Sequence, residues 1–149
     1  MGADTLSDVL GLRSKGPRPL MSLMTEVEKG LPLSTLDRLA KAIAPDDAEF
    51  AFRMVSRATL ARRRKALAVS RTSVAARLSA EESARVARLA EVWALAREVW
   101  GGDEEARAFL FRPHPMLEER RPIDVVLANE FGRPLVDGIL GGLQYGSAA

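Results

Sequence analysis

The chain has 149 residues and a net charge of +2, with 47% hydrophobic and 5% aromatic residues. That length fits one compact domain or two small ones with a real buried core, and that hydrophobic content excludes a disordered tail. Cysteine is absent, which excludes disulfides and thiolate chemistry and fits a reducing compartment.

Abundant Ala, Leu and Arg, with no alternating runs of Val, Ile, Thr or Tyr, predict an all-α fold. Residues 1–19 open on a short amphipathic stretch (Leu6, Val9, Leu10) and continue through Ser14 to Pro19 as a flexible arm. A helix is expected from Leu20 to Lys29, stopped by Gly30. The next begins near Ser34 as N-cap, carries Leu36, Leu39, Ala40 and Ile43 on one face, and ends before Pro45. Asp46 or Asp47 then caps a third helix through Phe50, Phe52 and Met54. Ser56 caps a fourth, from Arg57 to about Leu67. Two short helices joined by a tight turn, the second rich in arginine, form the pattern of a helix-turn-helix.

Ser79 to Glu82 reads as a capping box, and Ser79 marks the expected boundary between an N-terminal half (20–78) and a C-terminal half (79–149). Val86, Leu89, Trp93, Ala96 and Trp100 recur at helical steps until Gly101-Gly102, with both tryptophans expected in a core or dimer interface. Asp103 caps a short helix through Phe109 and Leu110, and Pro122 opens another over Ile123 to Ala128. The last helix, Pro134 to Gln144, bears an apolar stripe of Leu135, Val136, Ile139, Leu140 and Leu143. It also carries Gly138, Gly141 and Gly142, which cost helix propensity.

Catalytic signals are missing. The single histidine, His114, lies between two prolines without a metal-ligand partner set or an activated nucleophile. The Glu81-Glu82 and Glu104-Glu105 pairs suit helix starts, and no phosphate loop or dinucleotide fingerprint occurs. A non-enzymatic binding protein is expected, with no catalytic residues, cofactor or metal. No apolar run nears the roughly 18 residues of a membrane span and no signal-peptide pattern opens the chain, so the expected location is cytoplasmic.

The charge distribution is the sharpest local signal. Phe50 to Ala80 contains Arg53, Arg57, Arg62, Arg63, Arg64, Lys65, Arg71 and Arg77 and no acid; this +8 against a chain total of +2 leaves −6 for the remainder. Arginine offers a bidentate fork to phosphate or guanine, so Arg57, Thr59, Arg62, Arg63 and Arg64 form a candidate DNA-binding set. The competing reading is a surface helix whose arginines pair with the acidic remainder or with an acidic partner.

A series of motifs then adds a resemblance. Leu31 to Leu39 leads into Ser56-Arg57-Ala58-Thr59-Leu60-Ala61-Arg62-Arg63, followed by Leu78 to Ser83 and Arg88-Leu89-Ala90. Ala106 to Pro113, Arg121 to Asp124 and Phe131 to Val136 complete it. This order resembles the Xre/MbcA/ParS-like antitoxins of RES-domain toxin–antitoxin systems over about residues 20 to 146. Phe109-Leu110-Phe111 departs from a more usual Trp-Leu, and Lys65 to Arg77 is longer than the usual link.

The resemblance implies an Xre-like helix-turn-helix half that binds the promoter of its own operon. It also implies a C-terminal helical half that dimerises and binds a RES-domain toxin, blocking the active site of an NAD-degrading or ADP-ribosylating enzyme. Arg57, Thr59, Arg62 and Arg63, with Arg64 beside them, would face DNA. Ile139, Leu140, Leu143, Tyr145 and Gly146, with Ser147, would face the toxin. The alternative is a free-standing helix-turn-helix transcription regulator without a toxin.

Overall fold

Gly30 ends the first helix at φ 97°, and a Cβ there would lie 2.3 Å from the Leu78 carbonyl oxygen. Both the left-handed backbone and the close approach require glycine. The computed structural model describes residues 9–10 and 20–144, and apart from one isolated bridge (His114 with Arg120) the regular structure among them is helical. In order come α1 (Leu20–Lys29), α2 (Leu33–Ile43), a 3-10 turn (Phe50–Arg53), α3 (Arg57–Val69) and a second 3-10 turn (Val74–Ala76). Then follow α4 (Ala80–Trp100), α5 (Asp103–Phe111), a third 3-10 turn (Pro115–Leu117), α6 (Pro122–Ala128) and α7 (Gly132–Gln144).

The chain divides into two units, residues 1–87 and 88–149, and the division falls inside α4. The first turns of α4 belong to the first unit through specific bonds. The Ser83 hydroxyl accepts the buried Leu31 N–H at 2.8 Å, and the Leu78 N–H reaches the Leu31 carbonyl at 2.9 Å. Arg85 donates to the Met54 carbonyl at 2.6 Å, and Arg77 to that of Gly30 at 2.7 Å. The core of this unit holds Leu31, Leu36, Leu39, Ile43, Phe50 and Met54, all essentially inaccessible. Val9 and Leu10, in the amphipathic stretch of residues 1–19, are buried as well; the rest of that segment, expected as a flexible arm, lies outside the described residues.

Local signals place several ends as the sequence predicts. Ser56 has extended backbone angles and accepts the Thr59 N–H, opening α3. Ser79 and Glu82 form the reciprocal capping box, at 3.1 and 2.7 Å. Two expectations in the first unit need correction. The N-cap of α2 is Pro32, with Ser34 inside the first turn. The expected third helix is a single 3-10 turn: the Asp47 carboxylate takes the Glu49 N–H at 2.9 Å, and Phe50, Phe52 and Met54 donate to carbonyls three residues back. Burial of Phe50, Ala51, Met54 and Val55, followed at once by the extended cap at Ser56, leaves no length for a further α-turn.

In the second unit Leu89, Val92, Trp93 and Ala96 of α4 are buried, as are Leu110, Ile123, Val126, Val136 and Leu140. Arg97 and Arg107 stand over the Trp93 ring at 5.8 and 5.7 Å. Gly102, not Asp103, is the N-cap of α5; Asp103, Glu104 and Glu105 fill its first turn, where carboxylates suit the positive end of the helix dipole. Pro122 occupies the first turn of α6. Gly132 starts α7 against α6: a Cβ there would lie 1.8 Å from the Val125 carbonyl oxygen. Arg133 links α7 to α4, forming an ion pair with Glu91 and bonding Asp137 at 3.1 Å.

Candidate functional site

The basic strip of the sequence becomes α3 and its flanks, and acids from outside the strip claim much of its charge. Arg57 pairs with Glu49 and lies 4.1 Å over the Phe52 ring. Arg63 bonds the Glu82 carboxylate at 2.8 Å and the Arg77 carbonyl, with its side chain only 15% exposed. Arg64 makes a two-pronged pair with Asp37, at 2.8 and 3.0 Å. That hydrogen bonding to the Asp37 carboxylate holds the Arg64 guanidinium above its ordinary pKa. Arg53 sits beside the Phe50 ring and Arg77 holds the Gly30 carbonyl. Thr59 is half-buried and its hydroxyl accepts from Ser56, so it belongs to the helix cap.

The two readings of the strip therefore divide between residues. Arg57, Arg63 and Arg64 are the arginines that pair with the acidic remainder. Arg63 is the most committed of the candidate DNA set, its head group enclosed between α3 and the start of α4. Arg62, Lys65 and Arg71 are exposed and have no partner among the described residues.

Leu60 is the buried residue of α3. On the opposite side of the helix, Ala58, Ala61, Arg62 and Lys65 recur at steps of three and four, all exposed. This face has two alanines, two cations and no acid. Lys65 was outside the candidate set from sequence, and nothing in spacing alone separates it from Arg63 or Arg64. The discriminating information is where Asp37, Glu49 and Glu82 lie.

The second unit has a different surface. Of the residues expected to face a partner, Ile139 (4% exposed) and Leu140 (fully buried) lie on the side of α7 turned into the core. Other apolar side chains remain outside: Leu135 at one edge of the stripe is 59% exposed, Leu143 in the last turn of α7 38%, and Phe131 just before the helix 74%. Leu143 also lines a groove of about 410 Å³ with Trp100, Glu105, Phe109, Arg112 and His114. Trp100 stacks at 5.9 Å on Phe109, and Phe109 meets His114 edge-on at 6.1 Å. Trp93 lies in the core, while Trp100 is substantially exposed. His114 Nδ1 accepts the Met116 N–H at 3.1 Å, a loop role. Tyr145, Gly146 and Ser147 lie outside the described residues.

Among the described residues no helix is long and apolar enough to cross a membrane. What the fold and surfaces define is a two-unit helical protein with a helix-turn-helix-type first unit and a second unit with exposed apolar side chains. Residues 22–91 match the family model of the antitoxin Xre-like helix-turn-helix domain, and residues 95–146 that of the antitoxin Xre/MbcA/ParS C-terminal toxin-binding domain. No curated protein matches the chain. The chain thus resembles, over those residues and in that order, an Xre-like antitoxin helix-turn-helix domain and an Xre/MbcA/ParS antitoxin C-terminal domain.

Proposed function

We propose that this chain is the antitoxin of a type II toxin–antitoxin system. In this reading it binds a RES-domain toxin, an enzyme that degrades NAD or transfers ADP-ribose from it, and blocks the active site. It also represses its own operon by binding promoter DNA through α3. It acts in the cytoplasm as a homodimer within a toxin–antitoxin hetero-oligomer, and it has no catalytic role of its own.

The observation that carries the reading is the ordered pair of antitoxin domain matches. The surfaces are consistent with it. Large apolar side chains left in water, such as Phe131 and Leu135, suit a partner surface. Leu143, Tyr145, Gly146 and Ser147 are the toxin-facing set, with Ile139 and Leu140 supporting them from inside the helix. An apolar helix end followed by uncharged residues can enter a cleft without burying a charged side chain.

Co-expression with the adjacent reading frame tests the proposal. That frame's product alone should arrest growth and deplete cellular NAD, and this chain should bind it and restore both. Deleting residues 138–149 should abolish rescue and leave DNA binding in place. If the neighbouring product is neither toxic nor bound, and the deletion changes nothing, the free-standing regulator reading replaces this one.

A further inference from the structure

We infer that DNA sequence is read by the outer face of α3, with Arg62 on a base edge and Lys65 on a phosphate, while Arg63 and Arg64 anchor the helix and make no base contact. The inference rests on the DNA-binding reading above and narrows it to a surface.

An α-helix with its side chains is about 10–12 Å across and the DNA major groove about 12 Å wide, so a helix fits the groove, and small residues on its leading face let the backbone approach the bases closely. Ala58 and Ala61 supply that on the side opposite Leu60. Their methyl groups can also lie against a thymine methyl. Arg62 stands between them and Lys65 on the same face, exposed and without a partner among the described residues, so neither has an internal bond to break. Arginine fits the O6/N7 edge of guanine in a bidentate manner, and the compact lysine head fits a phosphate.

Arg63 and Arg64 are differently committed. Arg63 would have to leave Glu82 and the Arg77 carbonyl, and Arg64 its two bonds to Asp37. Both pairs hold α3 to other helices, Arg64 to α2 and Arg63 to the start of α4. They fix the direction in which the alanine face points.

The test is selection of the intact chain on a pool of random-sequence DNA duplexes, followed by salt titration on the selected duplex. Wild type should enrich a defined sequence containing guanine. Arg62→Ala should lose one guanine position, with discrimination there falling about 5- to 150-fold. Lys65→Ala should keep the sequence but lower the slope of log affinity against log salt by about 0.9. Ala61→Leu, a solvent-facing change, should weaken specific binding while the melting temperature is kept. Arg64→Ala, which releases α3 from Asp37, should weaken binding to all sequences alike while keeping both the preferred sequence and the slope. Sequence loss in Arg64→Ala, or an unchanged sequence in Arg62→Ala, overturns this assignment and leaves DNA binding intact. A wild-type chain that enriches no sequence and binds no duplex at low salt overturns the DNA-binding reading and this assignment with it.

Discussion

Replacing Gly132 and Gly138 by alanine, one at a time, should move stability in opposite directions although both lie in α7. At Gly132 the new Cβ would stand 1.8 Å from the Val125 carbonyl oxygen and 2.6 Å from its carbon. These are backbone atoms of α6, which cannot swing away as a flexible side chain can. Overpacking of this kind costs about 1–3 kcal/mol or more, and the helix-propensity gain of alanine returns about 1 kcal/mol at most. We expect a net loss of about 2 kcal/mol. At Gly138 nothing lies within 4 Å of the new Cβ, and its φ is not in the left-handed region. There the gain from alanine in a helix interior stands alone, about 0.5–1 kcal/mol.

Urea denaturation followed by tryptophan fluorescence is the suitable assay, because Trp93 and Trp100 are the two tryptophans of the chain and both lie in the second unit. With a urea m-value of about 1–3 kcal/mol/M, the Gly132→Ala midpoint should fall by roughly 1 M and the Gly138→Ala midpoint should rise by a few tenths. Equal midpoints for Gly132→Ala and wild type would refute the argued contact between α6 and α7. A loss of stability in Gly138→Ala would refute the open space assigned to that face.

Ser83→Ala should destabilise the first unit by about 1–3 kcal/mol in the same kind of melt, followed by circular dichroism, because it leaves the buried Leu31 N–H without an acceptor. Glu118 and Glu119 both lie in the left-handed region, at φ 56° and 64°. Glu119→Gly should therefore stabilise the second unit by up to about 1 kcal/mol, relief of strain exceeding the added freedom of the unfolded chain. Burial pushes the Glu91 carboxyl up, with Arg133 pulling it back and Asp137 adding to the rise. The folded unit thus binds that proton more tightly than the unfolded chain does. Relative to Glu91→Gln, wild type should gain stability as pH falls through the carboxylate range and lose it as pH rises past the folded-state value. Parallel stability–pH curves for the two proteins would contradict this.

Helix ends governed by neighbouring residues were legible in the sequence. Lys29 before Gly30, the Ser56 cap, the box at Ser79 and Glu82, and Pro122 at a helix start are all local, and the structure has each. What depends on distant residues was not legible. The segment after Asp47 carries helix-forming residues, yet its length is set by the cap at Ser56 and the burial on both sides. Which arginines of the strip stay free depends on Asp37, Glu49 and Glu82, and Asp37 lies 27 positions from its partner. The stripe on α7 identifies an apolar helix, but only packing separates buried Ile139 and Leu140 from exposed Leu135 and Leu143.

The bonds that tie residues 30–31 to residues 77–83 also bear on how the chain is made. The Leu31 N–H finds its acceptor 52 positions later, and the Gly30 carbonyl its donor 47 positions later. Closing a loop of that length costs on the order of 3–4 kcal/mol in chain entropy before any contact returns it. A ribosome adds residues at about 5–20 per second, so α1 waits roughly 3–11 seconds for Ser83 and α3 about 1–3 seconds for Glu82. Until then Arg63 has no Glu82 to hold, and of the two anchoring pairs only that of Arg64 with Asp37 directs the face of α3. A fragment ending at Leu78 preserves that interval permanently, whereas one ending at Ala87 includes every residue needed to close it.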